Sequence, residues 1–301
     1  MSNLAAILPK ITGQYRFNAP LKNWFNTESY AEILFKPKDE ADLINFLQNF
    51  PHKEAIKIIG ATSNIVFKNK LTKGVVIKLS GGLSQIELQD NNIIYIKAAT
   101  LCKNVANFLQ NNSLSNLEFL TGIPGSIGGA IAMNAGCYGS EIANFLISAT
   151  AIDLNGNICQ FNNKDFGFFY RGSELVKKSG DELIFISAKF QCISKDSNEV
   201  AKTIQQFNQQ REENQPIRAK TGGSTFKNPE DSDKKAWQLI DDANCRGLKI
   251  GDAQISQKHC NFLINQGQAT GQDIIDLIKK VQDQVELKSN IKLQTEVKII
   301  R

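Results

Sequence analysis

The sequence contains very little histidine, since His52 and His259 are the only two in 301 residues. Two histidines give little basis for a catalytic triad centred on histidine or for a zinc site built from several histidines. Six cysteines are scattered along the chain without a C-x-x-C pair. The sequence has no signal-peptide pattern, and no run reaches the roughly 18 apolar residues of a membrane span. We therefore expect a cytoplasmic protein with no metal ion and no membrane association.

Basic residues are missing from the centre of the chain, where no Lys or Arg occurs between Lys103 and Lys164. The net charge of +5 mildly favours anionic ligands. Because Lys and Arg are not clustered beside aromatic residues, nucleic-acid binding is not expected. The lysine of a P-loop and the G-x-G-x-x-G pattern of dinucleotide-binding folds are both absent. An anion bound near the centre would have to be held mostly by backbone amides.

The hydrophobic content of 42% and the charged content of 22% are typical of a globular protein. Hydrophobic periodicity predicts strands at 30–36, 56–60 and 74–79 and a helix at 39–49, which together form a small α/β unit. Strand patterns dominate the middle of the chain, where the segment 84–98 is predicted to form a hairpin. The C-terminal part has helical patterns at 235–243 and 271–288 and a closing strand at 291–300. We expect three domains, at residues 1–80, 81–197 and 198–301.

The segment Gly122–Gly139 holds six glycines, one proline and no charged side chain. Glycine allows positive φ and has no Cβ, so such a run can present backbone N–H groups to an anion such as a pyrophosphate. It can equally form tight, buried turns. A second turn-rich segment, Gly60–Asn64, follows a predicted strand and allows the same two interpretations. The residues alone leave both alternatives open.

Several polar residues could carry chemistry. Arg171 follows an aromatic cluster and either binds a carboxylate or phosphate or lies at the surface. The segment 222–229 combines two hydroxyls, a cation and an amide, which can position an oxygen-rich anion and donate a proton, or can form a solvated loop. Glu296 lies opposite the apolar side of the closing strand and faces water or a cleft. His259 is either structural or part of a site.

The motifs occur in one order along the chain: G-x-x-S-N at 60–64, GIPGSIGGAIAMNAG at 122–136, YRGS at 170–173, GSTFKNP at 223–229, HCNF at 259–262 and LQTEV at 293–297. That order resembles the UDP-N-acetylenolpyruvoylglucosamine reductase (MurB) family of bacterial peptidoglycan synthesis. The resemblance extends from about Pro20 to the C-terminus. The length and the region after Arg171 are similar to the shorter subtype, which lacks an extra tyrosine-bearing loop.

The resemblance implies an α+β fold, with a two-part FAD-binding domain of the vanillyl-alcohol-oxidase (PCMH) type before a C-terminal α+β substrate-binding domain. The implied catalytic residues are Arg171, Ser224 and Glu296. The implied supporting residues of the substrate site are Tyr170, Lys227, Asn228, His259 and Asn261. The residues implied to bind FAD are Gly60, Ala61, Ser63, Asn64, Gly122, Ile123, Pro124, Gly125, Ser126, Gly128, Gly129, Ala130, Asn134 and Gly136.

The implied reaction has two halves, in which NADPH first reduces the flavin and a UDP-sugar nucleotide is reduced next. Hydride reaches C3 of the enolpyruvyl group, Arg171 and Glu296 stabilise the negative charge that develops, and Ser224 protonates C2. The expected partners are these small molecules, with no obligate protein partner. Two rival hypotheses are a flavin oxidoreductase of the same fold with another substrate and a non-catalytic flavin or sugar-nucleotide binding protein.

Three segments depart from the family pattern. Trp24–Thr27 stands where the family usually has a Gly-Gly pair. Ala61-Thr62 stands where glycine commonly precedes Ser-Asn, and Asn214 stands where lysine is common. The first two departures concern FAD binding, and the third concerns the phosphates of the substrate.

Overall fold

The structure, a computed structural model, describes residues 3–180 and 182–301 and is rich in short strands. Its α-helices are α1 (Glu40–Asn49), α2 (Cys102–Asn111), α3 (Ile127–Ala132), α4 (Asn163–Phe166), α5 (Glu174–Ser179), α6 (Ser197–Asn214), α7 (Ala236–Asp242) and α8 (Gly271–Ser289). Its strands are β1 (Gln14–Pro20), β2 (Tyr30–Lys36), β3 (Ile56–Ile59), β4 (Ile65–Phe67), β5 (Leu71–Lys78), β6 (Ile86–Gln89), β7 (Ile93–Lys97), β8 (Leu114–Ser115), β9 (Gly136–Cys137), β10 (Ser140–Glu141), β11 (Leu146–Asp153), β12 (Ile158–Asn162), β13 (Phe168–Phe169), β14 (Gly172–Ser173), β15 (Leu183–Gln191), β16 (Ile193–Ser194), β17 (Lys220–Ser224), β18 (Lys249–Ile250), β19 (Ala253–Ile255), β20 (Phe262–Asn265) and β21 (Lys298–Ile300).

Tertiary contacts group the chain into two compact units, each made of separate stretches. The first unit contains the residues up to Ala19 together with Ala31–Ala61 and Lys73–Gln209. The second contains Pro20–Tyr30, Thr62–Thr72 and Gln210–Arg301. Two short N-terminal stretches thus pack with the C-terminal third. The three domains expected from the sequence, with boundaries at residues 80 and 197, stay a prediction.

The first unit contains two larger sheets. One has the strand order β1-β2-β5-β3, and the other is an antiparallel sheet with the order β12-β11-β15-β7-β6. A shared apolar cluster joins β2, α1 and β5 to β11 and β15, and it includes a stacked pair of rings, Phe46 and Phe50. The helix α1 begins where the sequence predicts, because the Asp39 carboxylate accepts the N–H of Asp42 at 2.9 Å. The predicted hairpin at 84–98 is confirmed as β6 and β7.

The second unit contains an antiparallel sheet with the order β17-β20-β19-β18, packed with α7 and α8. Helix α8 presents Ile274, Leu277, Ile278, Val281 and Val285 to the core, which confirms the predicted amphipathic helix. Phe25 and Val66, which come from the two short N-terminal stretches, belong to the same core. The strand β4 pairs with β21 in parallel, so the C-terminus is tied to residues 65–67.

One expectation about local structure was wrong, and two alternatives that the sequence left open are narrowed. The closing strand covers only Lys298–Ile300 instead of 291–300, because the residues before it bond to the segment 225–227. The glycine stretch is not made only of turns, since it contains α3. Residues 222–224 belong to β17, which has a bulge between Thr221 and Ser224, and do not form a solvated loop.

The N-terminus of α8 offers a stability test. The Thr270 hydroxyl accepts the Asp273 N–H at 3.1 Å, and the Asp273 carboxylate accepts the Thr270 N–H at 2.8 Å, which is a capping box. We expect Thr270→Ala to lower the free energy of unfolding by about 1 kcal/mol in urea titrations. Thr203→Ala is the control, because that hydroxyl only donates to the Glu199 carbonyl inside α6. An equal loss in both variants would contradict the assignment of the cap.

Candidate active site

The two glycine-rich turns singled out from the sequence meet in the first unit. A Cβ atom on residue 60 would lie 2.7 Å from the Ser126 Oγ, so any other residue here would displace the Ser126 hydroxyl. Ser126 is itself buried and precedes α3. Gly125 has φ of 146°, a conformation that side chains rarely adopt. The result is a stretch of bare backbone with few side chains, as the approach of a large planar or phosphorylated ligand requires.

The start of α3 is fixed to the segment 98–100. The N–H of Ile127 donates to the Thr100 carbonyl and the N–H of Gly128 donates to the Ala98 carbonyl, both at 2.9 Å. A Cβ on Gly128 would lie 3.0 Å from the Ala98 Cβ, so this glycine serves close packing of the helix. These two amides are committed to the protein and are not the ones that hold a ligand.

The other candidates in the glycine stretch differ in how far they are exposed to solvent. Ala130 is buried in the apolar core, and Gly136 lies in the β9–β10 hairpin, where a Cβ would lie 2.6 Å from the Ser140 carbonyl oxygen. Asn134 is fully buried, and both ends of its side-chain amide bond to the protein. Gly128 and Gly136 keep some exposure but pack against the protein. The other partly or fully exposed candidates are Gly60, Ala61, Ser63, Asn64, Gly122, Ile123, Pro124, Gly125 and Gly129.

Arg171 lies at the tip of a tight hairpin in the first unit. The strands β13 and β14 pair so that only Tyr170 and Arg171 form the turn. Arg171 has φ of 58°, and a left-handed residue other than glycine costs roughly 1–3 kcal/mol, which persists only where the surroundings enforce it. Its guanidinium lies 5.0 Å from the centre of the Tyr170 ring, a cation–π contact. The two neighbouring site residues therefore orient one another.

Ser224 is placed in the second unit by the residues that follow it. The side-chain amide of Asn261 bonds to both backbone polar groups of Phe226: its Oδ1 accepts the N–H at 2.9 Å and its Nδ2 donates to the carbonyl at 2.8 Å. The Thr225 N–H donates to the Asn261 carbonyl at 2.8 Å. Asn261 is only 5% exposed. It therefore supports the site by fixing the backbone next to Ser224.

Glu296 is bound to the other side of the same segment. Its N–H donates to the Thr225 carbonyl at 2.8 Å, and its own carbonyl accepts the Asn64 Nδ2 at 2.9 Å. The Asn64 carbonyl in turn accepts the Lys298 N–H at 3.0 Å. Ser224 and Glu296 are thus carried by adjacent segments of the second unit. The side chain of Asn64, implied by the resemblance to bind the cofactor, holds the backbone of Glu296.

Three further residues of the second unit flank this segment. The Lys227 N–H donates to the Gln294 carbonyl, which continues the pairing of the two segments. The Asn228 Oδ1 accepts the Ala236 N–H at 3.0 Å, so this amide satisfies a donor at the start of α7. The His259 Nδ1 accepts the Asn261 N–H at 3.2 Å, and burial lowers the pKa of His259 below its usual value. His259 is therefore neutral at neutral pH and carries its proton on Nε2.

Two of the three segments that depart from the family pattern, Trp24–Thr27 and Ala61-Thr62, contact each other through Thr62 in the second unit. Thr62 has φ of 56° and is 4% exposed. Its hydroxyl donates to the Lys22 carbonyl at 2.6 Å, and its carbonyl accepts the Trp24 N–H at 3.4 Å. The Phe25 carbonyl accepts the Asn265 Nδ2 at 2.8 Å, so this stretch is also tied to β20.

Sequence reasoning missed how residues of the second unit support one another. Thr62, Phe25 and Thr225 act through contacts with residues far away in the chain, and no local pattern marks those contacts. A positive φ at Thr62 was not expected because β-branched residues avoid that region. Within the described ranges, no group of three or more His, Cys, Asp or Glu side chains could hold a metal ion. In the same residues, no helix combines the length and apolarity that crossing a bilayer requires.

Two stretches of the chain match known protein families. Residues 31–162 match the family described as "FAD binding domain". The bare backbone at Gly60 and Gly125 fits such a cofactor, so the fold and the site define an FAD-binding protein. Residues 215–300 match "UDP-N-acetylenolpyruvoylglucosamine reductase, C-terminal domain".

The chain belongs to the UDP-N-acetylenolpyruvoylglucosamine reductase (MurB) family. It is 44% identical over 296 residues to the UDP-N-acetylenolpyruvoylglucosamine reductase of Rickettsia rickettsii (strain Sheila Smith), covering 98% of both chains. It is 43% identical over 297 residues to that of Anaplasma marginale (strain St. Maries), covering 97% of this chain and 96% of the relative. The crystal structure of MurB from Thermus caldophilus superposes with a TM-score of 0.79 at 26% identity, over 97% of this chain and 100% of the other. The resemblance and the fold class expected from the sequence are confirmed: a PCMH-type FAD-binding domain is combined with a MurB C-terminal domain.

The backbone before Ser224 provides a stability test. A Cβ on Gly222 would lie 2.4 Å from Cε2 of the Phe25 ring, which is fully buried. We expect Gly222→Ala to lower the free energy of unfolding by about 1–3 kcal/mol through overpacking. In a Phe25→Leu background the same change should cost clearly less, because the ring is gone. Urea titrations of the four proteins measure the difference. Equal costs in the two backgrounds would contradict the contact.

Proposed function

We propose that the protein reduces UDP-N-acetylglucosamine enolpyruvate to UDP-N-acetylmuramate with NADPH and FAD, as a UDP-N-acetylmuramate dehydrogenase of peptidoglycan synthesis. Relatives that carry the reductase name match 98% of the chain. The observation that carries the proposal is the pairing of the two segments of the second unit that hold Ser224 and Glu296. A hydroxyl and a carboxyl are held on neighbouring, hydrogen-bonded backbone, as a proton donor and a charge-stabilising group require.

Each residue has a role in reducing the enolpyruvyl double bond. Arg171 binds the carboxylate of the substrate and the negative charge that spreads onto it when hydride is added to C3. Glu296, in its protonated form, donates a hydrogen bond to the same developing charge. Such preorganised donors commonly contribute about 3–4 kcal/mol each to the stability of a transition state. Ser224 gives its proton to C2, which completes the addition of one hydride and one proton.

Other side chains support these groups. We propose that Lys227 and the Nε2–H of His259 bind oxygen atoms of the substrate, and that Tyr170 orients Arg171 through its ring. Asn228 and Asn261 act indirectly, since their amides bond to the backbone around the site. Gly60, Gly122, Gly125 and the exposed Gly129 would face FAD together with their partly exposed neighbours.

When bound, FAD would supply the hydride-transfer chemistry of the reaction. The chain's own residues supply the binding, the charge stabilisation and the proton. We also propose a cytoplasmic location, because all six cysteines are free thiols and cytosolic proteins keep their thiols reduced.

The two half-reactions test the proposed function. The purified holoenzyme is reduced with NADPH without oxygen, which removes the flavin absorbance, and the enolpyruvyl nucleotide is then added. We expect the absorbance to return at once, with formation of the lactyl ether. A flavin that is reduced by NADPH but not reoxidised by this substrate would identify an oxidoreductase with another substrate. A protein that binds FAD without being reduced would indicate a non-catalytic binding function.

The role of Ser224 is tested in the same assay. We expect Ser224→Ala to leave reduction by NADPH intact and to slow reoxidation by the substrate by about 10²–10⁴-fold, since it removes the proton donor. Ser289→Ala is the control, because that hydroxyl bonds only around the end of α8, where it donates to the Val285 carbonyl and accepts the Ile291 N–H. An equal loss in both half-reactions of the Ser224 variant would show that Ser224 maintains structure instead.

A further inference from the structure

Asn134 is a buried residue with an uncommon backbone conformation. It ends α3 with φ of 41° and is completely shielded from solvent. Asn adopts this left-handed conformation more readily than most residues, which explains the residue type at the helix end. The backbone conformation does not account for the contacts of the side chain, whose two polar ends bond to different segments.

The side-chain amide of Asn134 connects the glycine stretch to the hairpin of Arg171. Its Nδ2 donates to the Phe169 carbonyl at 3.0 Å, and its Oδ1 accepts the Ala143 N–H at 3.0 Å. A carbonyl only accepts and an N–H only donates, so these partners fix the orientation of the amide. Both polar ends are therefore used by the protein, which argues against Asn134 as a direct ligand of FAD.

The Phe169 carbonyl lies immediately before the two-residue turn that carries Arg171. The turn holds Arg171 at a positive φ, a strained conformation that the surroundings must enforce. On the far side, Gly172 leaves room for the Phe169 ring, since a Cβ there would lie 2.6 Å from it. The Ser173 hydroxyl accepts the Val176 N–H at 3.2 Å and fixes the turn to α5. Asn134 supplies the restraint on the near side.

We propose that Asn134 is a positioning residue for Arg171, which it acts on through the Phe169 carbonyl. The inference rests on the proposed function, because it assigns Arg171 to the reduction of the substrate. A shift of the turn would move the guanidinium away from the charge that develops on the substrate. Binding of FAD and its reduction by NADPH do not use Arg171 and would be unaffected.

The substitution Asn134→Asp isolates the bond to Phe169. It keeps the acceptor for the Ala143 N–H and the tolerance of a positive φ, and it replaces the donor by a carboxylate oxygen, which in its ionised form also adds a negative charge. The control is Asn163→Asp, which removes donors to the Ala143 and Leu146 carbonyls, at 2.8 and 2.9 Å, without touching the turn. Asn134→Gly is a second variant that keeps the backbone conformation and removes both bonds.

The kinetic test compares the half-reactions of the holoenzymes. We expect Asn134→Asp to slow reoxidation by the enolpyruvyl nucleotide by about 10- to 100-fold, the effect of a small misplacement, with FAD affinity and NADPH reduction unchanged. In an Arg171→Lys background the same change should have little further effect, because it acts through Arg171. The deficit should shrink as the pH is lowered, since a protonated carboxyl can again donate to the carbonyl. Asn163→Asp should keep the wild-type rates.

Other outcomes would overturn the proposal. Loss of FAD affinity would show that Asn134 supports cofactor binding instead. Losses that add to those of Arg171→Lys would show that Asn134 does not act through Arg171. An unchanged rate of reoxidation would show that Asn134 has no positioning role. Hydrogen exchange gives a readout that does not depend on activity: the amides of residues 168–173 should exchange faster in Asn134→Asp and Asn134→Gly than in Asn163→Asp. Unchanged exchange would also overturn it. A wild-type enzyme that the nucleotide fails to reoxidise would contradict the proposed function alone.

Discussion

The pairing of the Asn261 amide with both backbone groups of Phe226 is the interaction on which the site of the second unit depends. It fixes the segment 225–227 between β20 and the residues 294–296. Because Asn261 is buried, loss of either bond would leave a polar group without a partner, which costs about 1–3 kcal/mol. The same interaction therefore stabilises the fold and sets the backbone that carries Ser224 and Glu296. A residue can serve a reaction in this way without contacting the substrate.

The two short N-terminal stretches extend the same arrangement. Phe25 fills the space beside Gly222, and Asn64 holds the carbonyl of Glu296. Thr62 fastens these stretches to one another through the Lys22 carbonyl. Where the family pattern has glycine, this chain thus has a strained threonine whose hydroxyl makes a buried hydrogen bond. The bond offsets part of the strain and explains how the altered segments remain compatible with the fold.

Much of the fold could be predicted because its signals are local. The capped helix α1, the hairpin of β6 and β7 and the amphipathic α8 each contain their own cap, turn or apolar stripe. The closing strand was overpredicted because alternation of apolar residues does not reveal that residues 294–296 pair with 225–227. The order of the motifs indicated the family and the site residues. The supporting contacts of Asn261, Asn64 and Asn134 join residues 30 to more than 200 positions apart, and no pattern in one sequence encodes them.

The glycine stretch illustrates why composition alone left two interpretations open. Glycines at 60 and 125 provide bare backbone, whereas glycines at 128 and 136 allow close packing of protein against protein. Both functions require the same residue type, so a count of glycines does not separate them. Asn134 and Arg171 occupy left-handed positions that glycine would adopt with less strain. Glycine has no side chain, however, so it could supply neither the amide that bonds to Phe169 and Ala143 nor a guanidinium, and the chain accepts backbone strain at these two positions.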